Sequence, residues 1–222
     1  MELLDLNELL SNNEYPGRGI VLGVDETGKN AVIAYFIMGR SVNSRNRIFT
    51  VTEDGIRTEA YDPSLMKDPS LIIYHPVRKL EGHLIVTNGD QTDTMVDSIK
   101  AGKCSKHGLM TREYEPDEPN WTPRISVDIM DDGSFQMSIL KYNHGRCLRE
   151  FFDYEGCDEG MGYFISTYQG DGSPLPTFKG EPLEVTLPTP EEVWAALNPD
   201  NKVSLYTNVK GEVKIFNKHL GD

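Results

Sequence analysis

Hydrophobic positions change period early in the chain. Leu3, Leu6, Leu9 and Leu10 recur at helical spacing, which predicts a short amphipathic helix over 3–10. Tyr15-Pro16-Gly17 breaks it. Residues 19–24 and 30–38 are instead apolar and β-branched, with the turn chemistry of DETGK between them, and read as a hairpin. The same signals predict strands over 47–52, 71–74, 83–87 and 162–168. Two further hairpins are expected, 124–130 with 135–142 across Asp131-Asp132-Gly133, and 202–208 with 212–217 around Lys210-Gly211. A helix is expected over 95–101, with Thr92 or Asp93 accepting its first N–H groups and Gly102 ending it. A second starts at Thr189-Pro190 and runs to about Leu197. Glu53-Asp54-Gly55 turns the chain, 61–69 is a loop, and three prolines exclude a regular element from 112–124. Many antiparallel strands and few helices predict one α+β domain over 1–222, with 1–14 as an N-terminal helical extension.

The chain of 222 residues has 35 acidic and 22 basic side chains, a formal net charge of -13. That excess argues against nucleic acid or an anionic membrane as the main partner, since both need a basic face. Cys104, Cys147 and Cys157 are odd in number and lack a CxxC spacing, as expected for reduced thiols in a cytoplasm. MELLDLNELL has no basic region or long apolar core, so no signal peptide is expected. No apolar run approaches the ~20 residues of a membrane span. The NWT triplet at Asn120 is read as chance.

One stretch runs against the overall charge. Between Thr27 and Thr52 there is no Asp or Glu, and residues 39–47, GRSVNSRNR, carry Arg40, Arg45 and Arg47 among Ser41, Asn43, Ser44 and Asn46. Arg offers planar paired donors for phosphate or carboxylate, and short hydroxyl and amide groups can fill the remaining lone pairs. This reads as an anion site at the end of a strand, or else as a basic surface loop. His75, His83, His107, His144 and His219 are scattered, so no metal site is expected from them.

Six stretches together resemble the archaeal-type inosine monophosphate (IMP) cyclohydrolase family. They are YPGR (15–18), AYFIMGRSVNSRNR (34–47), DPSLIIY (68–74), VTNGDQTDT (86–94), YEPDEPNWTPRI (114–125), and YFISTY followed by TFKG between 163 and 180. They stand in family order, and NGDQTDT with YExDE…TPRI is the specific part. Residues 1–14 and the C-terminal third match much less clearly.

The resemblance implies a four-layer αββα sandwich similar to N-terminal-nucleophile hydrolases, without their catalytic first residue; Met1-Glu2 and the lack of a processing junction agree. It implies closure of 5-formamidoimidazole-4-carboxamide ribotide to IMP with loss of water, the last step of purine biosynthesis. No cofactor or metal is implied, and a homo-oligomer is compatible. Such a ring closure needs no enzyme nucleophile, because the substrate's carboxamide nitrogen attacks its own formyl carbon. The positions matching the family's active site are Arg40, Tyr74 and Glu115. Arg40 would bind the anionic substrate or a developing oxyanion, and Tyr74 would donate to the formyl oxygen. Glu115, among Glu113, Asp117 and Glu118, would carry a proton at a raised pKa. Arg18, Ser41 and Arg47 are candidates for the phosphate, and Asn88, Thr92, Asp93 and Arg124 for lining or bracing the pocket.

Each residue also has a plainer reading. Tyr74 could be a rim residue at a strand end, and 113–118 a solvated acidic loop or a divalent-cation site. Thr92 and Asp93 could simply cap a helix. Two rival functions remain open on sequence: a purine nucleotide- or ribotide-binding protein without turnover, and an amide hydrolase on a related fold with a Cys, Ser or Thr nucleophile.

Overall fold

A computed structural model describes residues 3–66 and 68–221. In chain order the elements begin with α1 (Leu6–Ser11), β1 (Arg18–Val24), β2 (Ala31–Met38), α2 (Val42–Arg45), β3 (Arg47–Val51) and β4 (Gly55–Ala60). Then come β5 (Val77–Leu80), β6 (His83–Thr87), α3 (Gln91–Lys100), α4 (Ser105–Leu109), β7 (Arg124–Met130), β8 (Phe135–Asn143) and β9 (Arg146–Tyr154). The last are β10 (Met161–Ser166), β11 (Leu183–Thr186), α5 (Pro190–Ala196), β12 (Lys202–Val209) and β13 (Glu212–Asn217). The chain divides into two compact units. Unit 1 is Met1–Phe49, Ala60–Met66 and Cys157–Asp222; unit 2 is Thr50–Glu59 and Lys67–Gly156.

Unit 1 holds a six-stranded antiparallel sheet in the order β11-β10-β1-β2-β12-β13. One face packs Val21, Phe36, Met38, Phe164 and Leu205 against Leu6 and Leu10 of α1 and Val193 and Trp194 of α5. Gly19 lets Phe36 and Phe164 close over β1: a Cβ there would stand 2.3 Å from the Phe36 ring and 2.8 Å from that of Phe164. The opposite face, with Ile20, Tyr35, Ile37 and Ile165, is also buried. Burial of both faces is why β1 and β2 read as apolar runs rather than alternating strands.

The second sheet is antiparallel and runs β3-β4-β5-β6-β7-β8-β9. In unit 2, Ile85 packs with Met95 and Val96 of α3 and Leu109 of α4. On the other face Val77, Val86, Val127 and Met137 stand opposite one another in register and are buried. Gly108 belongs to the helix pair, because a Cβ there would meet the Thr94 carbonyl oxygen at 2.7 Å.

Several expectations need correction. Residues 71–74 form no strand. Pro69 accepts from Ile72 and Ile73 N–H at 3.0 and 2.9 Å, so this apolar run is a turn with Ile72 and Tyr74 buried. The α3 helix starts earlier than 95, and its N-cap is Asp90, not Thr92 or Asp93. The first helix is displaced to Leu6–Ser11, where Asp5 caps it by accepting from Glu8 N–H. Strands β4, β5, β9 and β11 and helix α4 were not expected. The hairpins β1–β2, β7–β8 and β12–β13 form as expected. So does α5, with Thr189 and Glu192 in a capping box. The three cysteines are free thiols, and no helix among the described residues is long and apolar enough to cross a membrane.

Candidate active site

In unit 1 the matched stretches meet at one end of the sheet. The turn into β1 requires Gly17 at φ +77, since a Cβ would stand 2.3 Å from Thr167 Oγ1. Arg18 opens β1, and its backbone N–H donates to Thr167 Oγ1 at 3.1 Å. Tyr15 stacks on Tyr168, with centroids 6.0 Å apart. The Arg40 guanidinium lies 5.1 Å over the Tyr15 ring. Its Nη1 donates to the Asp171 carboxylate and, at 2.9 Å, to Gly172 O. Thus YPGR, the Arg40 stretch and the segment after β10 form one corner.

The rest of the acid-free stretch is an internally braced loop. Ser41 caps α2: its Oγ accepts from Ser44 N–H at 3.1 Å, and its own N–H donates to Ser44 Oγ at 3.0 Å. Gly39 is required under this helix, since a Cβ would come within 2.7 Å of the Ser44 backbone. Arg45 Nε donates to Gly39 O at 2.9 Å and its Nη2 to Asn201 Oδ1 at 3.0 Å. Arg47 is 1% exposed, and donates through Nε to Ser44 O at 2.7 Å and through Nη2 to Met38 O at 3.1 Å. Arg40 and Arg45 are therefore both presented at the surface, Arg40 on an aromatic platform and Arg45 tied to Gly39 and Asn201, while Arg47 supports the loop from within.

Unit 2 contains a denser polar cluster, built on the step from β6 into α3. Asn88 is fully buried. Its Oδ1 accepts from Gln91 Nε2 and Ile125 N–H, both at 2.9 Å, and its Nδ2 donates to Pro123 O at 2.9 Å. Arg124 Nη1 donates to Asp90 Oδ1 at 2.7 Å and Gln91 Oε1 at 2.8 Å, while its Nε donates to Glu113 O at 2.8 Å. The carboxylate of Asp90 is also paired with Arg112. Burial pushes the Asp90 carboxyl up, but the Arg112 hydrogen bond and the charges of Arg124 and Arg112 outweigh it and hold the group below its ordinary value.

Glu115 is 2% exposed and belongs to this cluster. Its N–H donates to Thr122 O at 2.8 Å. A Cβ placed on Gly89 would lie 3.6 Å from Glu115 Oε1 and 2.6 Å from both Arg124 Nη1 and Gln91 Oε1. The backbone at Gly89 thus approaches all three polar groups, which only glycine permits. Asp117 is committed to its own loop: its two oxygens take Thr122 N–H and Thr122 Oγ1.

Thr92 is fully buried beneath the step; its Oγ1 lies 2.6 Å from Thr87 Oγ1 and donates to Gly89 O at 3.0 Å. Asp93 accepts from Arg78 Nη1 at 3.0 Å and stands 3.6 Å from His75 Nδ1. Tyr74 is 4% exposed. Its N–H donates to Thr58 Oγ1 and its carbonyl accepts from Thr58 N–H, both at 2.9 Å. Pro76 O takes Thr87 N–H at 2.8 Å, so the segment carrying Tyr74 is tied to the same β6–α3 step. Among the described residues, no group of three or more His, Cys, Asp or Glu side chains is arranged to hold a metal ion.

Sequence reasoning missed Gln91, Asp90, Arg112, Tyr15 and Asp171. Gln91, Asp90 and Tyr15 lie inside matched stretches, so the signal was present. Asp171 had none beyond its flanking glycines.

Chemically, the unit 1 corner is a cation on an aromatic platform. The unit 2 cluster brings a buried carboxylate and a fixed guanidinium up to the same backbone step at Gly89.

Comparison with known proteins identifies relatives. The family model described as IMP cyclohydrolase-like protein matches residues 15–214. A protein of Methanococcus maripaludis named IMP cyclohydrolase is 32% identical over 163 residues, 70% of this chain and 75% of its own. Another from the same species is 30% identical over 187 residues, covering 81% and 85%. One from Methanopyrus kandleri is 30% identical over 169 residues, covering 73% and 79%. The chain belongs to the IMP cyclohydrolase-like family.

Proposed function

We propose that the protein is an IMP cyclohydrolase of purine biosynthesis, a cyclic-amidine hydrolase that closes 5-formamidoimidazole-4-carboxamide ribotide to IMP and water without a metal. The observation that carries this reading is the buried Glu115 carboxylate and the Arg124 guanidinium, both approached by the backbone at Gly89, in a chain whose family model spans residues 15–214. The carboxamide nitrogen attacks the formyl carbon, a C–N bond forms and the formyl oxygen becomes a hydroxyl. The C–O bond then breaks, and the hydroxyl leaves as water with the formamido nitrogen's proton while that nitrogen forms the C=N bond of the closed ring. Glu115 passes the carboxamide nitrogen's proton to the formyl oxygen, and then the formamido nitrogen's proton to the leaving hydroxyl. Arg40 holds the anionic substrate or the developing oxyanion, and Tyr74 donates to the formyl oxygen. Holding the two reacting groups together supplies the larger share of the acceleration.

Arg18, Ser41 and Arg47 are the phosphate-subsite candidates in this reading, next to Arg40 as the contact to the anionic substrate; Arg47, buried, contributes by fixing the loop rather than by touching the phosphate. Asn88, Thr92, Asp93 and Arg124 brace the wall that carries Glu115. The chain acts as one catalytic domain of four αββα layers, like N-terminal-nucleophile hydrolases. Support for this comes from two antiparallel sheets, each with helices packed on one face. The reading places the protein in the cytoplasm, supported by the pathway and the three free thiols.

The deciding experiment is conversion of the formylated ribotide by purified protein. Formation of IMP above the uncatalysed rate supports the reading, and tight IMP binding with no formation points to a nucleotide-binding protein.

A further inference from the structure

The guanidinium proposed to receive the substrate's charge is already engaged with a carboxylate. Arg40 Nη1 donates to Asp171 and Gly172 O. The pair is exposed, with 36% of the Arg40 side chain and 43% of the Asp171 side chain open to solvent. An ion pair in that setting contributes little and is readily exchanged.

The segment that brings Asp171 there is anchored at its base. Gln169 N–H donates to Pro176 O at 2.9 Å and Phe178 N–H to Thr167 O at 3.1 Å, and Tyr168 bridges Thr177. Leu175 is buried in the unit 1 core. Asp171 itself stands between Gly170 and Gly172, the residue type that most freely changes backbone conformation. Asp171 can leave Arg40 without undoing those anchors. Arg40 keeps its Tyr15 platform meanwhile. Arg45 differs, because it is held by Gly39 O and the neutral side chain of Asn201.

We propose that Asp171 is an internal competitor for Arg40, displaced when the phosphate of a ribotide arrives. The exchange swaps one charged pair for a stronger one. A ligand without the phosphate leaves Asp171 in place. The inference rests on the reading of Arg40 as a contact to the substrate's charge.

The test is calorimetric affinity for IMP and for inosine, with wild type, Asp171→Asn, Arg40→Gln and the double variant, alongside wild-type turnover. Asp171→Asn is expected to bind IMP about twofold to fivefold more tightly, the scale of one exposed charge pair. Its inosine affinity is expected to stay unchanged, and the gain for IMP should vanish in the Arg40→Gln background. Unchanged or weakened IMP binding by Asp171→Asn overturns the inference, as does an equal gain for inosine. A wild type that neither binds nor forms IMP removes the functional reading and this inference together. Turnover by wild type with no gain on Asp171→Asn removes the inference alone.

Discussion

Gln91 Oε1 accepts from Arg124 Nη1 at 2.8 Å, and both side chains are buried. Gln91 Nε2 simultaneously serves Asn88 Oδ1 at 2.9 Å and Ile125 O at 3.2 Å. One amide therefore joins the first turn of α3 to the start of β7, on either side of the Gly89 step. Gln91→Leu would leave these partners short of hydrogen bonds inside the protein. The expected cost is about 2–3 kcal/mol, since an unsatisfied buried group costs ~1–3 kcal/mol. Urea unfolding measures it, and a change under ~0.5 kcal/mol, the usual effect of a surface substitution, would contradict the account.

Glu115 and Tyr74 are assigned to the chemistry rather than to affinity. Glu115→Gln and Tyr74→Phe keep shape and remove the proton-transfer or donor function. Each should lower kcat by about 10²–10⁴-fold, the usual scale of acid–base assistance. Affinity for IMP should change by less than about threefold. Wild-type turnover in both variants would remove the role assignment.

Asp90 gives the cluster an acid limit. Its folded carboxyl titrates below the ordinary value of 3.8, so its ion pairs contribute stability that is fully present above that value and lost as pH falls through the folded one. Urea midpoints measured from neutral to acid pH should fall more steeply for wild type than for Asp90→Asn, and the two curves should converge in acid. Parallel curves would show that Asp90 carries no such linkage.

The thiols separate the cyclohydrolase from an amide hydrolase using cysteine. Burial pushes the Cys157 thiol up to about 11 and also raises that of Cys147, opposite to what activates a nucleophile. Replacing Cys104, Cys147 and Cys157 together by Ser should leave turnover within about twofold, because no thiolate takes part. Loss of all activity in a folded triple variant would reopen the hydrolase reading.

The sequence made those elements legible whose hydrophobic pattern was dictated by their own burial. β1, β2 and β7 bury both faces, and α5 announces itself by Thr189, Pro190 and Glu192. The misses have specific causes. β4 has the buried residues Ile56 and Thr58 among polar neighbours, and Thr58 is satisfied by hydrogen bonds to Ile72 and Tyr74 carbonyls. β9 is an edge strand with no clean alternation. Gly108 looks like a helix breaker, yet it permits the contact of α4 with Thr94. At the candidate site, the motif stretches located the Asn88–Asp93 step and Glu115. They could not reveal that Asp90 and Gln91 share Arg124, because that contact joins positions 33 and 34 residues apart.

The central claim is that this chain closes the purine ring without a metal. Its most direct test is the rate of IMP formation from 5-formamidoimidazole-4-carboxamide ribotide by purified protein in excess chelator. The account predicts turnover well above the uncatalysed closure and undiminished by the chelator. A rate equal to the uncatalysed one without chelator would contradict the enzyme, and activity lost to chelator and restored by a divalent cation would contradict the metal-free mechanism.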